Sequence, residues 1–170
     1  LYSSNPRNTS LSIRGLGTTF GLTNDGIDPG VGFYVDGVYY ARPAATTMDF
    51  IDIEQVEVLR GPQGTLFGRN TSAGALNVTT KRPNLSEVEG FANASYGNYN
   101  FMNLQAGVSV PITTDVAGLR VSGTWRKRDG YLKTPSGVES NNRDRYMLRG
   151  QLYVEPNSDV SIRILAAQRR

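Results

Sequence analysis

The sequence predicts a chain of two parts, a small α+β domain built on a mixed sheet followed by antiparallel β-strands of an incomplete transmembrane β-barrel. Three observations lead there. Up to about Pro83 the chain is punctuated by Gly, Pro and Asx turns with short apolar strands between them. From about Val88 it becomes a series of long segments in which apolar and polar residues alternate. No run approaches the ~18 apolar residues of a membrane-spanning helix, and barrel strands hide their hydrophobicity in alternation.

In the first part, residues 11–15 read as a strand and residues 31–40 as a hairpin around Asp36-Gly37. That dipeptide supplies the two positive-φ residues of a type I′ turn. Residues 46–52 suit one short helical turn, residues 54–60 a strand ended by Gly61-Pro62-Gln63-Gly64, and residues 75–81 the next strand. The break between the parts falls at Lys81-Arg82-Pro83-Asn84, where Pro stops a central strand. It divides the chain into residues 1–83 and 84–170.

In the second part, Leu104, Ala106, Val108 and Val110 alternate with Gln105, Gly107 and Ser109, and Leu119, Val121, Gly123 and Trp125 with Arg120, Ser122, Thr124 and Arg126. Tyr146, Leu148, Gly150, Leu152 and Val154 oppose Arg145, Met147, Arg149, Gln151 and Tyr153, while Val160, Ile162, Ile164 and Ala166 oppose Ser161, Arg163 and Leu165. Residues 88–96 form a weaker first member, for about five strands in all. A soluble β-rich binding or adhesion module also alternates. The membrane reading is preferred because each segment nears the ~10 residues that cross a bilayer at a tilt, and because five arginines on the wet face suit an aqueous lumen. Short connections at residues 112–118 and 155–159, against a long one at 127–144, match periplasmic turns and extracellular loops.

The chain has 170 residues, no Cys and no His, so disulfides, thiolate metal sites and Ser-His or Cys-His machinery are excluded, and no cofactor or metal site is expected. The net charge is +3, but the arginines fall at strand spacing and not on a nucleic-acid surface. Gly15-Leu16-Gly17-Thr18-Thr19-Phe20-Gly21 departs from the dinucleotide fingerprint, because its third Gly is one residue late and no helical pattern follows. No nucleophile stands with its base, so the chain is not expected to be an enzyme and has no catalytic residue to name. The first residues, Leu1-Tyr2-Ser3-Ser4, carry no leader, and the chain reads as an internal fragment.

One ordered series goes further: Ser12-Ile13-Arg14-Gly15, Tyr34-Val35-Asp36-Gly37-Val38, residues 52–62 (DIEQVEVLRGP), Leu66-Phe67-Gly68-Arg69-Asn70 and Ala73-Gly74-Ala75-Leu76-Asn77-Val78. In content, order and spacing it resembles the plug domain of TonB-dependent outer-membrane receptors, and Lys81-Arg82-Pro83 lies where the plug hands over to the barrel in that family. Residue for residue it is similar to the iron-complex branch of siderophore and pesticin-type receptors. The resemblance implies a barrel of the ~22-stranded plugged type in the bacterial outer membrane, taking up a scarce nutrient such as a ferric siderophore. It also implies contact with lipid and, through a TonB box absent from this fragment, with TonB and its ExbB/ExbD energising complex. Cobalamin and oligosaccharide transporters share this plug grammar, as do receptors that also signal.

By the same resemblance Arg14 and Arg60 match two plug arginines that pair with glutamates on the inner barrel wall, a latch made of exchangeable charge-assisted bonds. Plug loops pointing outward would contact ligand: Leu16 to Phe20 and Gly21, and Tyr39 and Tyr40 through Arg42 to Ala44 and Ala45, with Tyr2 reaching the same surface. Phe67 and Arg69 carry the same choice between ligand contact and packing. Tyr96, Tyr99, Phe101, Trp125 and Tyr146 fall near the outer ends of strands, where an aromatic girdle meets the membrane interface.

Overall fold

The computed structural model describes residues 2–5, 8–17, 29–41, 50–133 and 139–169, which divide into two compact units, Leu1–Lys81 and Arg82–Arg170.

The first unit is organised by a four-stranded mixed sheet. Two small hairpins precede it, β1 (Tyr2–Asn5) with β2 (Asn8–Ser10) and β3 (Ser12–Ile13) with β4 (Leu16–Gly17). The sheet itself comprises β5 (Val31–Val35), β6 (Val38–Tyr39), β7 (Ile53–Arg60) and β8 (Gly74–Thr80) in the order β6-β5-β8-β7. β5 and β8 run parallel and the outer pairs antiparallel. A parallel central pair is buried on both faces, and all five residues of β5 are buried. Phe33, Val35, Leu76 and Val78 form the core, with Leu11, Tyr40 and Ile53 packed against them.

The Asp36-Gly37 turn forms as expected, with both residues at positive φ. The Asp36 carboxylate has a second task, accepting from the Thr80 amide at 2.9 Å and the Thr80 hydroxyl at 2.8 Å. It thereby ties the hairpin to the end of β8. Gly74 is required where β8 begins, because at φ 145° a Cβ would lie 2.3 Å from the Leu59 carbonyl oxygen.

Three sequence expectations differ from the structure. The segment read as one strand over residues 11–15 is a tight hairpin, β3 and β4, turning at Arg14-Gly15. After Gly61-Pro62 a short helix α1 (Gly64–Phe67) forms, where only a turn was read. The helical turn expected over residues 46–52 lies mostly outside the described residues, and residues 50–52 are not helical.

The second unit is one antiparallel sheet of five strands, β9 (Glu89–Gly97), β10 (Phe101–Thr113), β11 (Ala117–Arg128), β14 (Arg143–Asn157) and β15 (Val160–Arg169), with β12 (Leu132–Lys133) and β13 (Glu139–Ser140) making a small hairpin in the long connection. Strands of 9 to 15 residues exceed the ~5 to 6 of ordinary soluble sheets. The described sheet does not close on itself, since its order ends at β15 and β9.

Its faces are inverted relative to a soluble sheet. Leu104, Ala106, Val108, Leu119, Val121, Leu148, Ile162 and Ile164 are exposed on one face, and Leu152 is half-buried there. On the other, Ser109, Arg120, Ser122, Thr124, Arg149 and Gln151 are buried, Arg120 to 2% exposure, and Arg163 is half-buried. Arg120 donates to the Glu89 carboxylate at 2.7 Å. Arg163 donates to Gln151 from Nε at 3.1 Å.

Residues 82–88 fold over the short-turn end of the polar face. The Asn84 amide donates to Ser109 Oγ at 2.7 Å, Asp115 N–H donates to the Leu85 carbonyl at 3.0 Å, and Ser86 Oγ donates to the Asp115 carboxylate at 2.8 Å. Asn84 Oδ1 closes an Asx turn onto the amides of Ser86 and Glu87, and the Arg82 guanidinium lies 5.7 Å above the Tyr153 ring. Gly118 admits this segment: a Cβ there would stand 2.8 Å from the Asn84 carbonyl oxygen and 3.2 Å from Pro83 Cβ. Gly118→Val is therefore expected to destabilise by about 1–3 kcal/mol through overpacking. Gly150→Val, with nothing within 4 Å of the added carbon, should cost much less. Denaturant unfolding in detergent micelles measures both, and equal losses would show that the segment yields freely.

Candidate functional site

The hairpin β5–β6 and the loop after β7 bring together residues 31 and 33 positions apart. In residues 61–73 the chain folds back on itself. Phe67 N–H donates to the Gln63 carbonyl at 2.9 Å, Gln63 N–H to the Thr71 carbonyl at 3.0 Å, and Thr71 Oγ1 to the Gly68 carbonyl at 2.7 Å. Gly68 and Asn70 both take positive φ, which lets so short a segment reverse twice.

The reversal presents Phe67 and Asn70 to the hairpin. Tyr34 meets Phe67 edge-on at 5.0 Å and lies tilted against Tyr39 at 5.4 Å, its hydroxyl donates to the Phe67 carbonyl, and Asn70 Nδ2 donates to the Tyr39 hydroxyl at 2.9 Å. Burial, and then the neighbouring Tyr39, push the Tyr34 phenol above its ordinary value of 10.0.

The residues singled out in the sequence separate into groups. Tyr39 belongs to this aromatic cluster. Tyr40 packs on the core, its ring 6.1 Å from Phe33 and its amide donating to the Phe33 carbonyl at 2.9 Å. Leu16 is exposed on β4. Phe20, Gly21, Arg42, Ala44 and Ala45 lie outside the described residues. Arg14 is exposed at the corner of the β3–β4 turn with φ 54°, and Arg60 is exposed at the last position of β7, opposite Gly74.

Of the strand aromatics, Tyr96, Trp125 and Tyr146 stand on the apolar face. Trp125 and Tyr146 are directly opposed, and Trp125 Nε1 donates to Asp144 at 3.0 Å. Tyr99 lies in the turn between β9 and β10, edge-on to Tyr131 at 6.4 Å, and Phe101 takes the register of the polar face.

With this geometry in place, residues 2–75 match the family model described as the TonB-dependent Receptor Plug Domain. The chain belongs to the TonB-dependent receptors. It is 32% identical to the pesticin receptor of Yersinia pestis over 128 residues, 75% of this chain and 18% of that protein. It is 30% identical to the catecholate siderophore receptor Fiu of Escherichia coli K12 over 131 residues, 69% of this chain and 17% of that one. The chain thus spans under a fifth of the length of these curated relatives. Among solved structures, the ferric yersiniabactin uptake receptor FyuA from Yersinia pestis superposes with a TM-score of 0.83 at 24% identity, covering 98% of this chain and 26% of that one. That likeness is one of fold. The fold is a plug domain followed by antiparallel barrel strands, with the barrel incomplete in this chain.

The Tyr34–Tyr39–Phe67–Asn70 cluster was not legible in the plug sequence, because its members meet only when the loop after β7 returns to the hairpin. Tyr34→Phe removes the donor to the Phe67 carbonyl. The difference between wild-type and variant absorbance in the tyrosinate band should then titrate above pH 10.0. A difference that titrates at the ordinary phenol value would show Tyr34 open to water.

Proposed function

We propose that this chain is the plug and first wall strands of an outer-membrane transporter that imports a ferric siderophore or similar iron complex, energised through TonB and its ExbB/ExbD complex. Residues 1–83 serve as the gating plug and residues 84–170 as the start of the barrel. The observation that carries this reading is the inverted sheet, with Leu119, Val121, Ile162 and Ile164 exposed and Arg120, Arg149 and Gln151 buried. Such a wall suits hydrocarbon outside and a polar lumen within. An iron-chelate cargo is supported by the similar proteins, which include a catecholate siderophore receptor. Family membership supports transport over catalysis.

In this reading Tyr96, Trp125 and Tyr146 lie where the outer interface would meet the wall, and the exposed Leu16 faces the ligand. Tyr39 takes part through the aromatic cluster it shares with Tyr34, and Tyr40 mainly supports the sheet. Arg14 and Arg60 hold the plug to glutamates elsewhere in the barrel. Their exposure in this chain is what a latch to an absent partner requires, and exchangeable charge-assisted bonds let the plug be released by force.

Cells whose only iron-chelate receptor is the intact transporter should accumulate radiolabelled ferric siderophore, and deleting TonB should abolish accumulation. TonB-independent accumulation, or none with any iron chelate, would refute the reading. Arg14→Ala combined with Arg60→Ala should raise ion leakage through the purified transporter in planar bilayers with ligand affinity largely intact. Unchanged leakage with a large loss of affinity would place these arginines in the binding site.

A further inference from the structure

The register of the long sheet lines up its apolar face in rows that cross the strands. In one row Ala92 of β9, Ala106 of β10 and Gly123 of β11 stand side by side, and no larger side chain follows before Leu148 of β14. The next row toward the long-loop end is Ala94, Leu104, Trp125 and Tyr146. The step from small to large side chains leaves an apolar groove of about 630 Å³, a volume within the range of ligand sites.

Internal packing does not require this groove. A Cβ on Gly123 would meet only Leu148 Cδ1 and the Met147 carbonyl oxygen, each at 3.4 Å, which is ordinary contact. A strand-interior glycine weakens its strand and often marks a place where another molecule approaches closely. Trp125 is also kept from closing over the row. Its Nε1 donates to Asp144 at 3.0 Å, which draws the indole toward the rim.

The rim supplies charge of both signs. Beyond Trp125 and Tyr146, Lys127 and Asp144 stand directly opposite each other on the same face, both exposed. Opposed Cα atoms in an antiparallel pair lie ~4.5–5.5 Å apart, so a cation and an anion sit side by side above the groove. The carboxylate disfavours a purely anionic occupant and suits one that carries both signs. Lys127 is four residues from Gly123, and each strand residue advances ~3.4 Å. Barrel strands tilt by ~35–45°, so a groove across them slopes from the interface into hydrocarbon, as a lipid chain does below its headgroup.

We propose that the groove seats one acyl chain of a phosphatidylethanolamine, whose phosphate binds Lys127 and whose ammonium donates to Asp144. This rests on the outer-membrane reading and adds a lipid held at a fixed place on the wall. Trp125 and Tyr146 lie between head and chain, at the depth where amphipathic rings belong. Charge-assisted bonds at the head select the lipid, and burial of the chain against Ala92, Ala106 and Gly123 supplies affinity.

The test uses the delipidated full-length protein in detergent micelles and native mass spectrometry. The probes are phosphatidylethanolamine, phosphatidylcholine and phosphatidylglycerol with identical chains. Wild type should hold one phosphatidylethanolamine with about fivefold preference over either competitor. Gly123→Leu, which fills the groove, should weaken its binding by about tenfold, and Ala106→Leu fills the same groove should that variant fail to fold. Gly150→Leu adds the same side chain to the same face outside the groove and should leave binding unchanged. Lys127→Gln with Asp144→Asn should bind all three lipids alike. Equal binding of the three by wild type, preference for phosphatidylglycerol, no bound lipid, or binding within about twofold of wild type in the filled variants would overturn the proposal. A protein dimer that filling the groove abolishes would overturn it as well, since a second copy would then be the occupant. Flotation with lipid vesicles tests the membrane reading separately. Insertion without lipid preference sinks only the groove, whereas failure to insert sinks the membrane reading and the groove with it.

Discussion

The sidedness of the long sheet is the constraint on which the rest of the second unit depends. In water, each exposed Leu or Ile side chain forgoes roughly 1.5–3 kcal/mol of burial free energy, and burying a guanidinium costs several kcal/mol unless it is paired. The sheet accepts both at once, exposing Leu104, Leu119, Ile162 and Ile164 while burying Arg120 and Arg149. That is stable only where the solvent outside the apolar face is hydrocarbon and the polar face is supplied with partners. Strand length follows from the same condition. So does the fixed register, since shifting β11 by one residue would carry Arg120 out and Val121 in.

The first unit obeys the opposite rule. Its sheet buries Phe33, Val35, Leu76 and Val78 in a core with Leu11, Tyr40 and Ile53 packed against them, and its polar groups serve turns and strand ends, as Asp36 does for Thr80. Residues 82–88 join the two regimes by attaching to the strand ends through Ser109, Asp115 and the space left at Gly118.

Sequence reasoning recovered what local pattern encodes. Alternation gave the faces of β10, β11, β14 and β15, including Met147 on the polar side, because a period of two needs no tertiary information. Asp36-Gly37 gave its turn for the same reason. Helix α1 escaped because four residues inside a Gly- and Pro-rich loop carry no helical period. The β1–β2 hairpin escaped because Asn, Ser and Thr dominate both strands, and β12–β13 because each spans two residues. Tyr40 reads as a loop aromatic suited to ligand, yet it packs on Phe33, since the hairpin turns its ring back over the core.

The most direct test of this account is the sidedness of β11 itself. Single cysteines at Leu119, Arg120, Val121, Ser122, Gly123 and Thr124, nitroxide-labelled in the intact protein in lipid vesicles, report relaxation by oxygen, which partitions into lipid, and by a water-soluble nickel chelate. Oxygen accessibility should peak at Leu119, Val121 and Gly123 and fall at Arg120, Ser122 and Thr124. Accessibility without a period of two, or with the opposite phase, would contradict it.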